Sequence, residues 1–334
     1  MNRDKKEIKK TFFYPLIIFM IILSNAAFAN SHQVNTMSSK ILFVFYDAGE
    51  TYALLPVMKE LAYRNFEVKA FAFGNGSQHA IKGTNFTLDI PTHCKLKNFT
   101  PGDQIKRNID WSPEDVKAIT ECYAPDVVVL GMVSHIQRQL AQVYFKEKKV
   151  PTIGYYNGFA TDQEPFIYTF QPYLTKLLVA ANTVRDAFLK HKFLATSISL
   201  VGQPALEEWI QEAQKYSQSG MRAKLMGERA EKSKVVLFIG GYKEGYLNIF
   251  EDFLLTCANL SSKAKCYVSV HPSQTGELEQ KIIQKYKACN DIEIINHKKY
   301  STLEAVIASD VIVSQGSTVG IQARFLGKET IFLT

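Results

Sequence analysis

The chain is poor in cysteine. Five occur in 334 residues, at Cys94, Cys122, Cys257, Cys266 and Cys289. The odd count and irregular spacing do not describe a disulfide framework, no C-x-x-C is present, and no Cys/His set has zinc spacing. The cysteines therefore read as small buried hydrophobes, and no metal site is expected. No dense run of Lys and Arg interleaved with aromatics occurs, which argues against nucleic acid as a partner. No G-x-G-x-x-G follows a strand pattern, so the dinucleotide fingerprint is absent, and there is no D-x-D. The apolar run Phe12–Leu23 is short and broken by Pro15, which argues against an ordinary membrane span.

What is present is the material of a folded globular protein: 46% hydrophobic and 21% charged residues. The length suggests two domains of about 150 residues each. Three of the seven formal positive charges lie within the first 29 residues, and the mild excess left suits a phosphorylated ligand. Those 29 residues have the pattern of a secretory signal. A basic stretch ends at Lys10, an apolar run follows, and Ala27-Phe28-Ala29 gives an A-x-A cleavage site. Three expectations follow from this segment. The chain is exported to the periplasm; or residues 12–29 remain as a membrane anchor; or translation starts at Met37 and the product is cytoplasmic.

Beyond residue 40, short β-branched runs alternate with amphipathic stretches, as βαβ units with parallel sheets require. Strands are expected at 41–46, 68–73, 86–90, 127–131, 152–156, 177–180 and 197–201, with helices at 52–65, 113–123, 134–147 and 183–192. Gly74-Asn75-Gly76 reads as a turn. Residues 205–233 read as a charged, helical connection. A second series then has strands at 235–239, 264–270, 292–295, 311–313 and 330–333, with helices at 246–260, 277–287, 302–308 and 319–325. The expected domains are 40–202 and 234–334, joined by a helical linker at 203–233. The fold class is α/β, with two Rossmann-like parallel-sheet domains facing across a cleft. The chain stops directly after a strand, so the expectation is either an abbreviated second domain or a C-terminally truncated sequence.

In open α/β sheets, ligands bind beyond the carboxyl ends of the strands, so the loops there are the candidates. Gln315-Gly316-Ser317-Thr318 follows a strand and opens a helix. Free amides at a helix N-terminus form an anion site suited to a diphosphate, or the turn is an ordinary N-cap. His271-Pro272 follows another strand. Its imidazole either donates to a phosphate or base carbonyl, or is a structural polar group. Gly240-Gly241-Tyr242-Lys243 either lets a ligand approach the backbone or is a tight turn. Asp47-Ala48-Gly49-Glu50-Thr51 follows the first strand. Asp47 or Glu50 is a candidate general base toward an acceptor hydroxyl, with helix capping by Asp47 or Thr51 as the alternative.

The series Val201-Gly202-Gln203-Pro204, Gly240-Gly241, His271-Pro272, Ser309-Asp310-Val311-Ile312-Val313 with Gln315-Gly316-Ser317, and Phe325-Leu326-Gly327-Lys328 resembles the GT-B superfamily. It is most similar to UDP-N-acetylglucosamine 2-epimerase and lipid-A-disaccharide synthase, over residues 40–334. The resemblance implies a nucleotide-sugar donor on the second half, with its diphosphate on Gly316, Ser317 and Thr318, His271 lining the pocket, and Gly240 and Gly241 near the phosphates. It implies a sugar or lipid-linked acceptor on the first half. It also implies no cofactor other than the donor substrate and no metal, in agreement with the missing D-x-D. Many relatives carry a Glu that holds the ribose hydroxyls, and the matching place here is Gln322 or one residue away. The first loop lacks a histidine base.

The resulting expectation is a metal-independent hexosyltransferase of cell-envelope glycoconjugate or polysaccharide synthesis, using a nucleotide-diphosphate sugar. The alternatives are a UDP-sugar epimerase, a glycerophosphotransferase-like enzyme, or an exported, non-catalytic binding protein on the same fold.

Overall fold

The structure is a computed structural model that describes residues 39–94, 96, 106–159, 165–227, 234–241, 245–260, 264–271, 275–286, 292–315 and 317–333. The signal segment, Met37, Lys243, Pro272, Cys289 and Gly316 lie outside these residues. The chain divides into two compact units, Met1–Glu207 and Glu208–Thr334.

The first unit carries six parallel strands, β1 (Lys40–Phe45), β2 (Glu67–Ala72), β3 (Val127–Gly131), β4 (Thr152–Tyr156), β5 (Lys176–Val179) and β6 (Ile198–Leu200), in the order β2-β1-β3-β4-β5-β6. The apolar runs fill both faces. Along β1, Leu42 and Val44 enter one core with Phe71, Leu130 and Phe188. Ile41, Phe43 and Phe45 enter the other with Leu54, Met58 and Val129. This is the period-two division expected of a strand covered on both sides. Helices α1 (Ala48–Tyr63), α2 (Asn75–Ile81), α3 (Ile90–His93), α4 (Pro113–Cys122), α5 (His135–Gln142) and α6 (Asn182–Lys190) connect them, and a π-helical turn at Val143–Glu147 extends α5.

The second unit repeats the design with β7 (Lys234–Ile239), β8 (Ala264–Ser269), β9 (Ile292–Ile294), β10 (Val311–Ser314) and β11 (Glu329–Phe332), all parallel, in the order β11-β10-β7-β8-β9. Helix α7 (Pro204–Ala213) spans the boundary between the units. It is followed by α8 (Gln218–Met226), α9 (Tyr246–Leu260), α10 (Glu277–Lys285), α11 (Thr302–Ala308) and α12 (Thr318–Phe325). The segment read as a connection thus supplies part of the second unit. Trp209, Leu225 and Met226 pack on the core around Val235 and Val306. Arg222 donates through Nε to Ala308 O at 2.8 Å and pairs with Asp310. Asp310 also accepts from Val235 N at 2.8 Å, and Lys328 donates to Ile307 O at 2.7 Å and Ser309 O at 2.8 Å. Asp310 and Lys328, from two of the recognised motifs, are therefore scaffold groups.

Three expectations are corrected. Residues 86–90 form no strand. Thr87 makes a single parallel bridge to Ala70, and Asp89 then opens α3, where Pro91 in the first turn favours the helix. Gly74-Asn75-Gly76 starts α2 instead of a bare turn. Cys94 and Cys122 are joined in a disulfide, with Cα atoms 4.9 Å apart, whereas Cys257 and Cys266 are free and buried as expected. Among the described residues, no helix is long and apolar enough to cross a membrane.

Candidate active site

Each sheet reverses direction at its first strand. In the first unit the chain passes from β1 outward to β2 and returns beyond β1 to β3. In the second it runs outward from β7 through β8 and β9 and returns to β10 on the other side of β7. Where neighbouring crossovers leave on opposite faces, the loops part and a crevice opens at the strand carboxyl ends. The loops at these two switch points contain almost all the candidate residues.

In the second unit the switch point lies between Gly240-Gly241 after β7 and the residues Gln315 and Ser317 after β10. Close approach requires glycine at 240 and leaves little room for a side chain at 241. A β-carbon on Gly240 would stand 2.9 Å from Ser269 O and 3.1 Å from His271 N, and one on Gly241 would stand 3.2 Å from Gln315 Oε1. Below them, Tyr246 accepts a hydrogen bond from the Gly241 amide and donates to the buried Glu279 at 2.9 Å. Burial and the Glu279 carboxylate both push the Tyr246 phenol up, so it stays protonated as a fixed strut. Ser317 caps α12, accepting from Val319 N at 3.2 Å, while its own amide donates to Ser314 Oγ at 3.1 Å. Thr318 is exposed and Gln315 Oε1 is buried without a hydrogen bond. His271 stands half-buried, and desolvation holds its imidazole below the ordinary value, hence neutral at pH 7. Gln322 is buried on α12, at 8% exposure. The structure thus gathers Gly240, Gly241, His271 and Ser317 at one sheet edge, and places Thr318 at the start of the adjoining helix and Gln322 one turn further on.

In the first unit the predicted carboxylates have unequal places. Asp47 is the N-cap of α1, accepting from Glu50 N at 2.9 Å, so the capping alternative holds for it. Glu50 completes the capping box, accepting from the amides of Tyr46 and Asp47. It is wholly buried, and burial, then the Asp47 charge, raise its carboxyl well above the usual range. Gln137 Nε2 donates to Glu50 Oε1 at 2.6 Å and to Val44 O at 3.0 Å. The Gln137 carbonyl accepts from Val133 N, Ser134 N and Ser134 Oγ. Glu50 is thereby corrected from candidate base to internal tie across the β1/β3 switch point, because an enclosed carboxyl cannot meet an acceptor.

Sequence reasoning missed the groups that do stand at this edge. His135 is the first residue of α5, after β3. Its Nδ1 lies 2.9 Å from Asp110 Oδ1, and Arg138 holds the same oxygen at 3.1 Å. The imidazole stacks on Phe166, with centroids 4.6 Å apart and planes 3° from parallel, and the Arg138 guanidinium lies 5.4 Å from the same ring centroid. Arg107 donates to Val133 O, accepts from His135 N through its carbonyl, and bears electrostatically on the Tyr46 phenol. Gln139 clamps this segment, accepting from Trp111 N at 2.9 Å and donating to Trp111 O at 3.0 Å.

Two Rossmann-like units of parallel strands and alternating helices, each with its candidate groups at a switch point, define a protein with the GT-B fold. Among solved structures the chain is similar to UDP-GlcNAc 2-epimerase from Neisseria meningitidis bound to UDP-GlcNAc, at 15% identity and TM-score 0.65, over 88% of this chain and 82% of that one. It is similar to the Methanocaldococcus jannaschii UDP-GlcNAc 2-epimerase in complex with UDP-GlcNAc and UDP, at 16% identity and TM-score 0.60, over 88% and 83%. Acinetobacter baumannii MurG matches at 14% identity and TM-score 0.55, over 88% and 78%. No family profile and no curated protein sequence matches the chain.

Proposed function

We propose that this protein is an enzyme acting on a nucleoside-diphosphate sugar, bound through its diphosphate at the edge formed by Gly240, Gly241, His271, Ser317 and Thr318. The observation that carries this reading is the assembly of those residues at the second sheet's switch point. The glycines let the loop after β7 pass close to Ser269, His271 and Gln315, and α12 begins beside them. The solved neighbours support the same chemistry, since several were determined with UDP or UDP-GlcNAc. The reaction we assign is sugar transfer to an acceptor hydroxyl in glycoconjugate synthesis. A second reading, 2-epimerisation of a UDP-sugar, is favoured by the number of epimerases among the neighbours.

The test has two stages. UDP in large excess over its dissociation constant stabilises the folded chain by mass action, about 2.7 kcal/mol at one hundred times Kd. A melting temperature unmoved by millimolar UDP, CDP or GDP rejects the donor site. Incubation with UDP-GlcNAc alone then separates the reactions, because a C2 epimer forms without acceptor only in the second reading.

Export remains part of the proposal. A disulfide persists in oxidising compartments, so Cys94–Cys122 supports the reading of residues 1–29 as a secretory signal or anchor. The N-terminal residue of the protein from its native cell decides between processing, retention and a start at Met37.

A further inference from the structure

We propose that Glu279 is a positioning residue for the proposed donor edge: through Tyr246 it holds the Gly241 amide, and so fixes the course of the loop after β7 beside the loop that opens α12. The proposal rests on the donor reading above and deepens it, by naming the group that sets the shape of that edge from beneath. All of its parts lie in the second unit.

Both glycine amides are engaged within the protein. Gly240 N donates to Ser269 O at 2.8 Å, and Gly241 N donates to the Tyr246 phenol oxygen. The first bond continues the pairing of β7 with β8. The second ties the loop to a side chain, so the place of Gly241 depends on where that phenol stands. The fit is close. A β-carbon on Gly240 would stand 3.2 Å from the phenol oxygen, and one on Gly241 would stand 3.3 Å from Tyr246 Cδ2 and 3.2 Å from Gln315 Oε1. Gly241 is thus held between Tyr246 below and the loop after β10 beside it, and a shift of the phenol moves one wall of the edge.

The phenol is itself held in two ways. The ring is 5% exposed, with its centroid 6.1 Å from that of Phe238 and 6.1 Å from that of Phe250. Those contacts hold the ring and leave the hydroxyl free to turn. Its one hydrogen is given to Glu279 Oε1 at 2.9 Å. With that hydrogen committed, the oxygen presents only lone pairs to Gly241 and can only accept from it. Glu279 is 2% exposed and lies in the first turn of α10, where the helix dipole favours a carboxylate. The start of that helix is fixed by Gly276, whose φ of 84° suits glycine. A carboxylate is costly to bury, and an apolar side chain would serve for packing alone. What the carboxylate adds is direction for the phenol hydrogen, and through it a defined place for the Gly241 amide.

The experiment compares wild type, Glu279→Leu, Glu279→Gln and Tyr246→Phe in the full chain. Hydrogen exchange of the Gly241 amide is followed by NMR without ligand, and UDP affinity is measured by calorimetry at a temperature where every variant is folded. Val306→Ala, a change in the other core of the same unit, serves as a control for lost stability. Glu279→Leu and Tyr246→Phe are expected to speed Gly241 exchange and to weaken UDP binding about tenfold or more. Glu279→Gln keeps an acceptor for the phenol hydrogen and is expected to restore both to near wild type. Val306→Ala is expected to lower the melting temperature and keep the UDP affinity. Should Glu279→Leu not fold, Tyr246→Phe decides alone, since it removes the oxygen that accepts from Gly241. Unchanged Gly241 exchange in the folded variants overturns this inference and leaves the donor reading standing. So does faster exchange with wild-type UDP affinity, or an equal loss of affinity in Val306→Ala. A wild type that binds no UDP overturns the donor reading, and this inference with it.

Discussion

Glu50 Oε2 occupies the space in which a side chain on residue 131 would begin: a β-carbon added to Gly131 would stand 1.5 Å from it. Glycine at the end of β3 is therefore the condition for a buried carboxyl at the start of α1. Gly131→Ala must expel that carboxyl and with it the bonds from Tyr46, Asp47 and Gln137. We expect a loss of about 3 kcal/mol or more, read from the midpoint of urea unfolding.

Glu50 also gives stability a pH dependence of definite sign. Its folded-state affinity for a proton exceeds that of the unfolded chain. The stabilisation is thus full below the unfolded value and is lost as pH rises through the folded value. Each pH unit of that interval costs about 1.4 kcal/mol. Glu50→Gln keeps an acceptor for the three donors and removes the ionisation. Its melting temperature relative to wild type should rise between pH 5 and pH 8; a gap independent of pH would refute this account.

The disulfide closes a loop with sequence separation 28 between α3 and α4. In the chain-entropy picture such a loop is worth roughly 3–4 kcal/mol. Cys94→Ser with Cys122→Ser, or the reduced wild type, should lose that amount in chemical unfolding of the first unit, with the second unit's transition unmoved.

At the proposed donor site, Gly240→Ala brings a methyl against Ser269 O and the His271 amide. We expect about 1–3 kcal/mol of destabilisation and at least a tenfold weaker response to UDP in thermal shift. His271→Ala should weaken UDP binding with little effect on the melting temperature of the free protein. Equal UDP affinity in both variants and wild type would remove these residues from the site.

Asp310 gathers the amide of Val235 and the side chains of Arg222 and Gln218 at the base of β10. Asp310→Asn leaves Arg222, itself mostly buried, without its countercharge. A loss of about 2–4 kcal/mol in the second unit is expected, with unchanged UDP response once the variant is folded. Loss of UDP binding in a fully folded Asp310→Asn would contradict its assignment as scaffold.

The architecture was readable because its cause is local. Runs such as Ile41–Tyr46 and Val127–Gly131 are apolar on both faces, and Ser112-Pro113-Glu114-Asp115 announces a helix start within four residues. The residues of the proposed donor edge could be singled out for the same reason, since Gly240-Gly241 and Ser317-Thr318 are short motifs directly behind strands. What escaped depends on pairs distant in sequence. Cys94 meets Cys122, and Asp110 meets His135 from a stretch in which neither strand nor helix is expected. Glu50 has the composition of an exposed catalytic carboxylate. Only the glycine at 131 and the amide at 137 show that it points inward. The run 86–90 has strand composition, but one bridge to Ala70 is all the pairing it finds.

The segment that delivers Asp110 to His135 is anchored by Gln139 and lies within the loop that the Cys94–Cys122 bond closes. Chain produced in a reducing cytosol would keep the amide anchor and lose the covalent one. Material for enzymology is therefore best recovered from an oxidising compartment or refolded with a glutathione couple. Weak turnover from a cytosolic preparation would then report the history of the sample rather than the capacity of the protein.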